Sequence, residues 1–264
     1  MNYHSIARLI GSVNAAELIQ ALTGISREAL LLDRERELPD SVAEAAEKVA
    51  SGTPLQYITG RAFFYGDRYL VTPDVLIPQP DTEHLVDAAL VFASPGKKLL
   101  DLCTGSGCIA ISILKRAIVR AAAVDISAPA LEVARKNAEL HKVNDRLELL
   151  RLDVLHDDLS PLIAGADVIT ANPPYINTDV IPTLPPDVRN EPRIALDGGG
   201  DGMDFYRRFL SFSDCLKPDA VMIFEIGWDQ GERIRELAAL HNLKCEIRRD
   251  FGGNDRVAII QKIN

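Results

Sequence analysis

The tetrapeptide Asn172-Pro173-Pro174-Tyr175 combines residue types suited to one kind of chemistry, substitution at a planar nitrogen. Such a nitrogen, in an amide or an aromatic amine, is a weak nucleophile because its lone pair is delocalised. Acceptors for its two N–H bonds turn that lone pair toward an incoming electrophile. An Asn side-chain oxygen and the backbone carbonyl of the next residue supply both acceptors. Two prolines fix the backbone and remove competing N–H donors, and the Tyr ring offers a flat apolar face to a planar group. A proline-stiffened turn would contain the same residues, so their position matters: they follow Asp167-Val168-Ile169-Thr170-Ala171, which reads as a strand.

A second constellation lies upstream. Leu99-Leu100-Asp101-Leu102-Cys103 reads as a strand that runs into Thr104-Gly105-Ser106-Gly107. Glycines at a strand-to-helix turn let the backbone pass close beneath a ligand and present N–H groups at the helix start. Asp125 closes the next strand 20 residues after Gly105, the offset at which a carboxylate accepts both hydroxyls of a ribose. The run Gly105-Ser106-Gly107-Cys108-Ile109-Ala110 also satisfies G-x-G-x-x-A, so the loop alone is compatible with a nicotinamide dinucleotide. Asp101 leans the other way. A carboxylate just before the loop disfavours a pyrophosphate and suits the cationic methionine end of S-adenosylmethionine.

Both constellations need a sheet that brings strand ends to one edge. Strands read at 98–103, 120–125, 146–151, 167–171, 220–226, 244–249 and 257–261, with helices at 107–117, 128–141, 203–216 and 230–241. Strands alternating with helices mean βαβ units and a mostly parallel sheet. The last two strands are separated only by Asp250 to Asn254, too short for a crossover helix, so that pair is antiparallel. Ligands of such sheets bind beyond the carboxyl ends of the strands. Residues 1–50 read as helical. Val42 to Val49 follows Asp40 and Ser41 as candidate caps, with Glu44 positioned for a capping box. Residues 61–77 read as a hairpin with a Gly66-Asp67 turn. The chain therefore divides into a helical domain with hairpin linker, 1–75, and a Rossmann-like domain, 76–264.

With 264 residues, 47% hydrophobic and 25% charged, the chain is an ordinary globular protein. A net charge of -9 argues against a broad phosphate-neutralising surface and hence against a stable nucleic-acid complex. No apolar run reaches membrane-spanning length, and the start has no signal-peptide character, so a cytoplasmic location and no membrane partner are expected. Four cysteines and five histidines lack the spacing of a disulfide framework or a metal site, and no metal is expected.

Over nearly its whole length the sequence resembles the release-factor glutamine methyltransferases, the HemK/PrmC family. Beyond the elements above, Pro54-Leu55-Gln56-Tyr57-Ile58-Thr59-Gly60, Val75 to Glu83 with its Ile77-Pro78-Gln79-Pro80 core, and Asn190-Glu191-Pro192-Arg193 carry the likeness. The resemblance implies a class I methyltransferase fold and a seven-stranded sheet with an antiparallel last strand. It also implies S-adenosyl-L-methionine as cofactor, and peptide-chain release factors as protein substrate, methylated at N5 of the glutamine in their Gly-Gly-Gln loop. The small helical N-terminal domain is then expected to help hold that substrate, and a monomer is expected. Asp101, Cys103, Thr104, Gly105, Ser106 and Gly107 are assigned to the cofactor, with Asp125 on the ribose, Asp153 on the adenine amino group, Val154 on its ring, and Asn172 bordering it. Asn172 and Pro173 are assigned to orient the nucleophile, with Pro174 and Tyr175 completing the substrate site. Two positions depart from the family pattern: Cys103 stands where glycine is usual and Gln79 where arginine is usual. If position 103 requires a positive φ, Cys is strained there. A nucleic-acid adenine or guanine amino methyltransferase would use the same tetrapeptide and remains the alternative.

Overall fold

The computed structural model describes residues 1–263, and Asn264, the last residue of the expected 76–264 domain, lies outside the described residues. The N-terminal part is helical: α1 (Tyr3–Ile10), α2 (Ser12–Thr23), α3 (Arg27–Leu32), α4 (Asp40–Ala50) and α5 (Leu55–Thr59). They enclose one apolar cluster built around Ile6, Leu18, Ile19, Leu30 and Val42. The capping box expected at α4 does not form. Pro39 occupies the cap position and no side chain caps the helix, whose first residue is Asp40 itself. Pro39 pre-sets the backbone for helix entry but has no side-chain acceptor to offer.

The hairpin follows as β1 (Arg61–Phe64) and β2 (Asp67–Leu70). Its register pairs Phe64 with Asp67, so the two-residue turn is Tyr65-Gly66, one position earlier than expected. Both turn residues have positive φ, 52° and 78°, the mirror-image turn whose twist matches that of the strands. Phe64 and Tyr69 of the hairpin are buried in the cluster that covers one face of the large sheet, not among the N-terminal helices.

The large sheet contains β3 (Lys98–Leu102), β4 (Arg120–Asp125), β5 (Leu147–Arg151), β6 (Val168–Ala171), β7 (Val221–Glu225), β8 (Leu243–Arg249) and β9 (Asp255–Lys262). Their spatial order is β5-β4-β3-β6-β7-β9-β8. Every pairing is parallel except those of β9, which lies antiparallel between β7 and β8. The seven-stranded, mostly parallel sheet with an antiparallel last strand is therefore the fold the sequence pattern predicts. The remaining α-helices are α6 (Glu83–Leu90), α7 (Cys108–Arg116), α8 (Ala128–Leu140), α9 (Ser160–Gly165), α10 (Pro186–Arg189), α11 (Asp204–Leu210) and α12 (Gly231–Leu240). Residues of β3, β7 and β9 alternate between two apolar clusters, Leu99, Ile223 and Ile259 on one face and Leu100, Phe224 and Ile260 on the other. Helices α6 and α7 cover the first face, α11 and α12 the second. Covering both faces explains why β6 and β7 are buried along their whole length.

The chain reverses direction across the sheet between β3 and β6: β4 and β5 lie to one side and β7, β9 and β8 to the other. That switch point opens a crevice at the carboxyl edge. It is flanked by the two segments the sequence marks, 103–107 and 172–175.

Candidate active site

A cavity of about 580 Å³ occupies this crevice, a size suited to a nucleoside-bearing ligand. Cys103, Thr104, Gly105, Ser106, Asp125, Asp153, Val154, Asn172 and Pro174 line it, together with Ile77, Gln79, Thr82 and Ile126. Most of the assigned residues, from Cys103 to Pro174, thus meet around one cavity.

The glycine loop is held by its neighbours. The Gly105 N–H donates to Asp125 Oδ2 at 2.8 Å, so the two residues read as a pair from their offset are in contact. Asp125 Oδ1 accepts from the Ser127 N–H at 2.9 Å. Each carboxylate oxygen keeps lone-pair capacity beyond that one bond, the requirement for receiving ribose hydroxyls. Burial raises the Asp125 pKa, and these backbone N–H groups oppose the rise. A Cβ on Gly105 would meet no protein atom within 4 Å, which leaves open space where the loop faces the cavity. Ser106, only 2% exposed, has a hydroxyl with no hydrogen-bond partner among the described residues. A buried hydroxyl without a partner, a carboxylate with lone pairs to spare and apolar Val154 and Ile126 fit an adenosyl cofactor.

Four assigned residues do not line the cavity. Asp101 is fully buried beneath the loop. Its Oδ2 accepts from the Thr104 hydroxyl and its Oδ1 from the Thr170 hydroxyl, each at 2.6 Å. Burial raises its pKa to about 6 against the pull of those hydroxyls. Gly107 caps α7 in the left-handed conformation, and a Cβ there would press on Ile111 at 3.0 Å and Ala134 at 3.2 Å. Its glycine serves the packing of α7 against α8. Pro173 is buried. The Tyr175 ring is half-buried against the apolar cluster under α11, with its hydroxyl 3.4 Å from Glu225 Oε1. Asp153 is on the wall, but its oxygens already accept from the Leu155 N–H and contact His156 Nδ1, at 2.9 and 2.8 Å.

Cys103 has φ 57°. The position does demand the left-handed region, and a non-glycine residue there carries strain.

The tetrapeptide is bolted from behind by the segment 196–202. The Ile176 N–H donates to the Leu196 carbonyl and the Gly198 N–H to the Ile176 carbonyl, at 3.0 and 2.8 Å. A Cβ on Gly198 would stand 2.7 Å from Tyr175 Cα, and one on Gly202 2.4 Å from the Tyr175 carbonyl oxygen. Only glycine lets these backbones approach so closely. Gln230 Nε2 donates to the carbonyls of Tyr175 and Gly202, at 3.2 and 3.0 Å.

Three residues outside the assigned set also shape the site. Thr82, 2% exposed, accepts a 3.2 Å hydrogen bond from Asn172 Nδ2. Asn137, fully buried on α8, receives the Leu70 N–H at 2.7 Å and donates to the Leu70 and Ser106 carbonyls at 3.0 and 2.9 Å, tying hairpin to glycine loop. Glu191 accepts from the Ile77 N–H of the cavity wall at 2.7 Å. Asn137 has no local signal, being one polar residue in a helix. Thr82 and Glu191 lie inside the blocks that carry the family resemblance, but nothing in the sequence says what they touch.

Comparison with known proteins agrees with this architecture. Residues 11–60 match the model of the PrmC N-terminal domain, and residues 82–195 that of ribosomal protein L11 methyltransferase (PrmA). The release factor glutamine methyltransferase of Moorella thermoacetica is 41% identical over 92% of this chain and 89% of its own length. That of Bacillus subtilis is 39% identical over 94% and 92%. Among solved structures, M. jannaschii TYW2 in complex with AdoMet shares the fold, with a TM-score of 0.50 and 14% identity over 77% of this chain and 86% of that one. Sequence identity at this level along almost the entire chain, joined to a methyltransferase sheet with its cavity at the switch point, makes this protein a member of the release factor glutamine methyltransferase family.

Proposed function

We propose that the chain methylates the N5 amide nitrogen of a release-factor glutamine, the one in the Gly-Gly-Gln loop, with S-adenosylmethionine as methyl donor. The observation that carries this reading is that Asn172 lines the same cavity as the Gly105–Asp125 pair. In this reading a nitrogen-orienting acceptor and a ribose-binding carboxylate share one cavity.

When bound, S-adenosylmethionine supplies an electrophilic methyl group on a sulfonium centre. Cys103, Thr104, Gly105 and Ser106 would contact it, Asp125 would take its ribose hydroxyls, and Val154 and Asp153 would hold its adenine. Asp101 acts from below, holding Thr104 and the end of β6 through Thr170. The Asn172 side-chain oxygen would accept one N–H bond of the substrate amide, and the backbone carbonyl of Pro173, between cavity-lining Asn172 and Pro174, would accept the other. The nitrogen lone pair then points at the methyl group. Pro174 lines the path to this point, and Tyr175 stiffens the tetrapeptide by packing on the core. After transfer the extra proton on nitrogen leaves to solvent.

The helical segment, residues 1–60, belongs to substrate recognition in this reading, and the hairpin belongs to the catalytic unit because Phe64 and Tyr69 share its core. A glutamine loop alone gives the cavity few contacts, so additional contacts outside it supply orientation.

Incubation of the protein with labelled cofactor, and with either an intact release factor or a nucleic-acid pool, tests the proposal. Label on the glutamine of the release-factor peptide is expected. Label confined to nucleic acid would overturn it.

A further inference from the structure

Asn172 can present either end of its carboxamide to a substrate, and only one end works. With Oδ1 toward the substrate amide it accepts an N–H; flipped, it offers an N–H to an N–H. The structure points Nδ2 away, onto the Thr82 hydroxyl at 3.2 Å. A threonine hydroxyl that accepts there has one proton left to donate. Glu225, at the end of β7 and 2% exposed, stands next to Thr82, whose hydroxyl favours the charged carboxylate. Glu225 Oε2 is buried with no hydrogen-bond partner among the described residues, so it is open to the Thr82 proton. Oε1 is the atom 3.4 Å from the Tyr175 hydroxyl.

Resting on the role of Asn172 given above, we infer that Thr82 and Glu225 are positioning residues that fix which end of the Asn172 carboxamide meets the substrate. The ionised carboxylate only accepts, so the Thr82 proton turns to Glu225 and the Thr82 lone pairs turn to Asn172 Nδ2. Asn172 Oδ1 is thereby committed to the substrate side before substrate arrives. Such preorganisation costs nothing at the moment of reaction. Tyr175 acts on the same carboxylate, so the first and last residues of the tetrapeptide converge on one buried acid.

The surroundings leave the charge of Glu225 finely balanced. Burial raises its pKa to about 7, against Thr82, Arg256 and Tyr175, while Asp81 adds to the rise. Tyr206 and Cys108 also face it, and Arg256 is itself paired with Asp81 and Asp250 at 3.1 Å each. A protonated Glu225 can donate to Thr82, and the direction of the chain is then no longer enforced.

The test compares Thr82→Val, Thr82→Ser, Glu225→Gln and Asn172→Ala with the wild type, measuring kcat with saturating release factor and cofactor, cofactor affinity by calorimetry, and thermal stability. Thr82→Val should lower kcat about 10-fold or more, the worth of one lost hydrogen bond at a reacting group. Cofactor affinity should stay unchanged, and Thr82→Ser should recover most of the rate. Wild-type kcat should rise between about pH 6 and 8 as the carboxylate ionises, and Glu225→Gln should flatten that rise. Should Thr82→Val fail to fold, the Glu225→Gln profile carries the test alone. An inactive Asn172→Ala beside a fully active Thr82→Val, or a Glu225→Gln profile as steep as the wild type, would overturn the inference and leave the role of Asn172 standing. An active Asn172→Ala would instead remove the reading beneath it.

Discussion

The hydroxyl of Tyr57 lies 3.5 Å from Glu191 Oε2 and 2.7 Å from the carbonyl of Val75, to which it donates. One phenol on α5 therefore touches both the chain entering the catalytic sheet and the acid that holds Ile77 in the cavity wall. Burial raises the Glu191 pKa to about 7, with the Ile77 N–H and Tyr57 pulling the other way. Between 4.5, the ordinary value, and about 7 the folded protein keeps a proton that the unfolded chain has released. The contribution of this group to stability is full below about 4.5 and lost as pH rises through about 7. Glu191→Gln keeps an acceptor for Ile77 and has no such loss. Its melting temperature relative to wild type should therefore increase from pH 5 to pH 8, by at most on the order of 3 kcal/mol in stability. Parallel melting curves across that range would contradict the assignment.

Asn172→Ala removes the oxygen proposed to orient the nucleophile and leaves the Gly105–Asp125 contact intact. Methyl transfer should fall on the order of 10² to 10³-fold, with calorimetric affinity for S-adenosylmethionine nearly unchanged. Near wild-type turnover by the folded variant would sink the mechanism.

Gly105 combines φ 54° with open space in front of its backbone. Gly105→Val would be strained by its backbone and would fill that space with a β-branched side chain. Cofactor affinity should drop sharply in calorimetric titration, and an unchanged value in a folded variant would mean that the loop does not hold the cofactor.

Cys103 sits at φ 57°. Replacing it with glycine relieves strain of about 1–2 kcal/mol but adds flexibility to the unfolded chain, so the melting temperature should hold or rise slightly. Cys103→Val should lower it by several degrees, since a branched side chain tolerates this region worst. Desolvation at the cavity wall, where Cys103 is half-buried, also lifts its thiol well above the usual range, with Asp125 and Asp101 adding to the effect. Alkylating reagents should therefore spare it at neutral pH. Rapid labelling of Cys103, or equal melting of the two variants, would count against this account.

Removal of residues 1–54 tests the role of the helical segment. The cut leaves Tyr57 and the hairpin, because Phe64 and Tyr69 are part of the sheet's own core. After a cooperative melt shifted upward by cofactor has established folding, kcat/KM for an intact release factor should fall much further than cofactor affinity. Equal kcat/KM in the two proteins would show that the segment does not recognise substrate.

The sequence by itself determined whatever depends on local pattern. Strand and helix alternation set the sheet, a gap of five residues made the last pair antiparallel, and the spacing of 20 paired Gly105 with Asp125. Each of these signals is carried by neighbours in the chain or by a period that the backbone imposes. Tertiary structure decided the rest. Asp101 reads as a cofactor ligand from its place before the loop, yet the sheet buries it between Thr104 and Thr170. Gly107 reads as part of the cradle, yet it is small because α8 passes close by. The hairpin reads as a linker, yet its aromatic residues belong to the core of the large sheet. Thr82, Asn137 and Glu191 act on partners 90, 31 to 67 and 114 to 134 residues away. Which polar groups meet across such distances is fixed only when the apolar faces have packed, because that packing brings them together and excludes the water that would otherwise satisfy them.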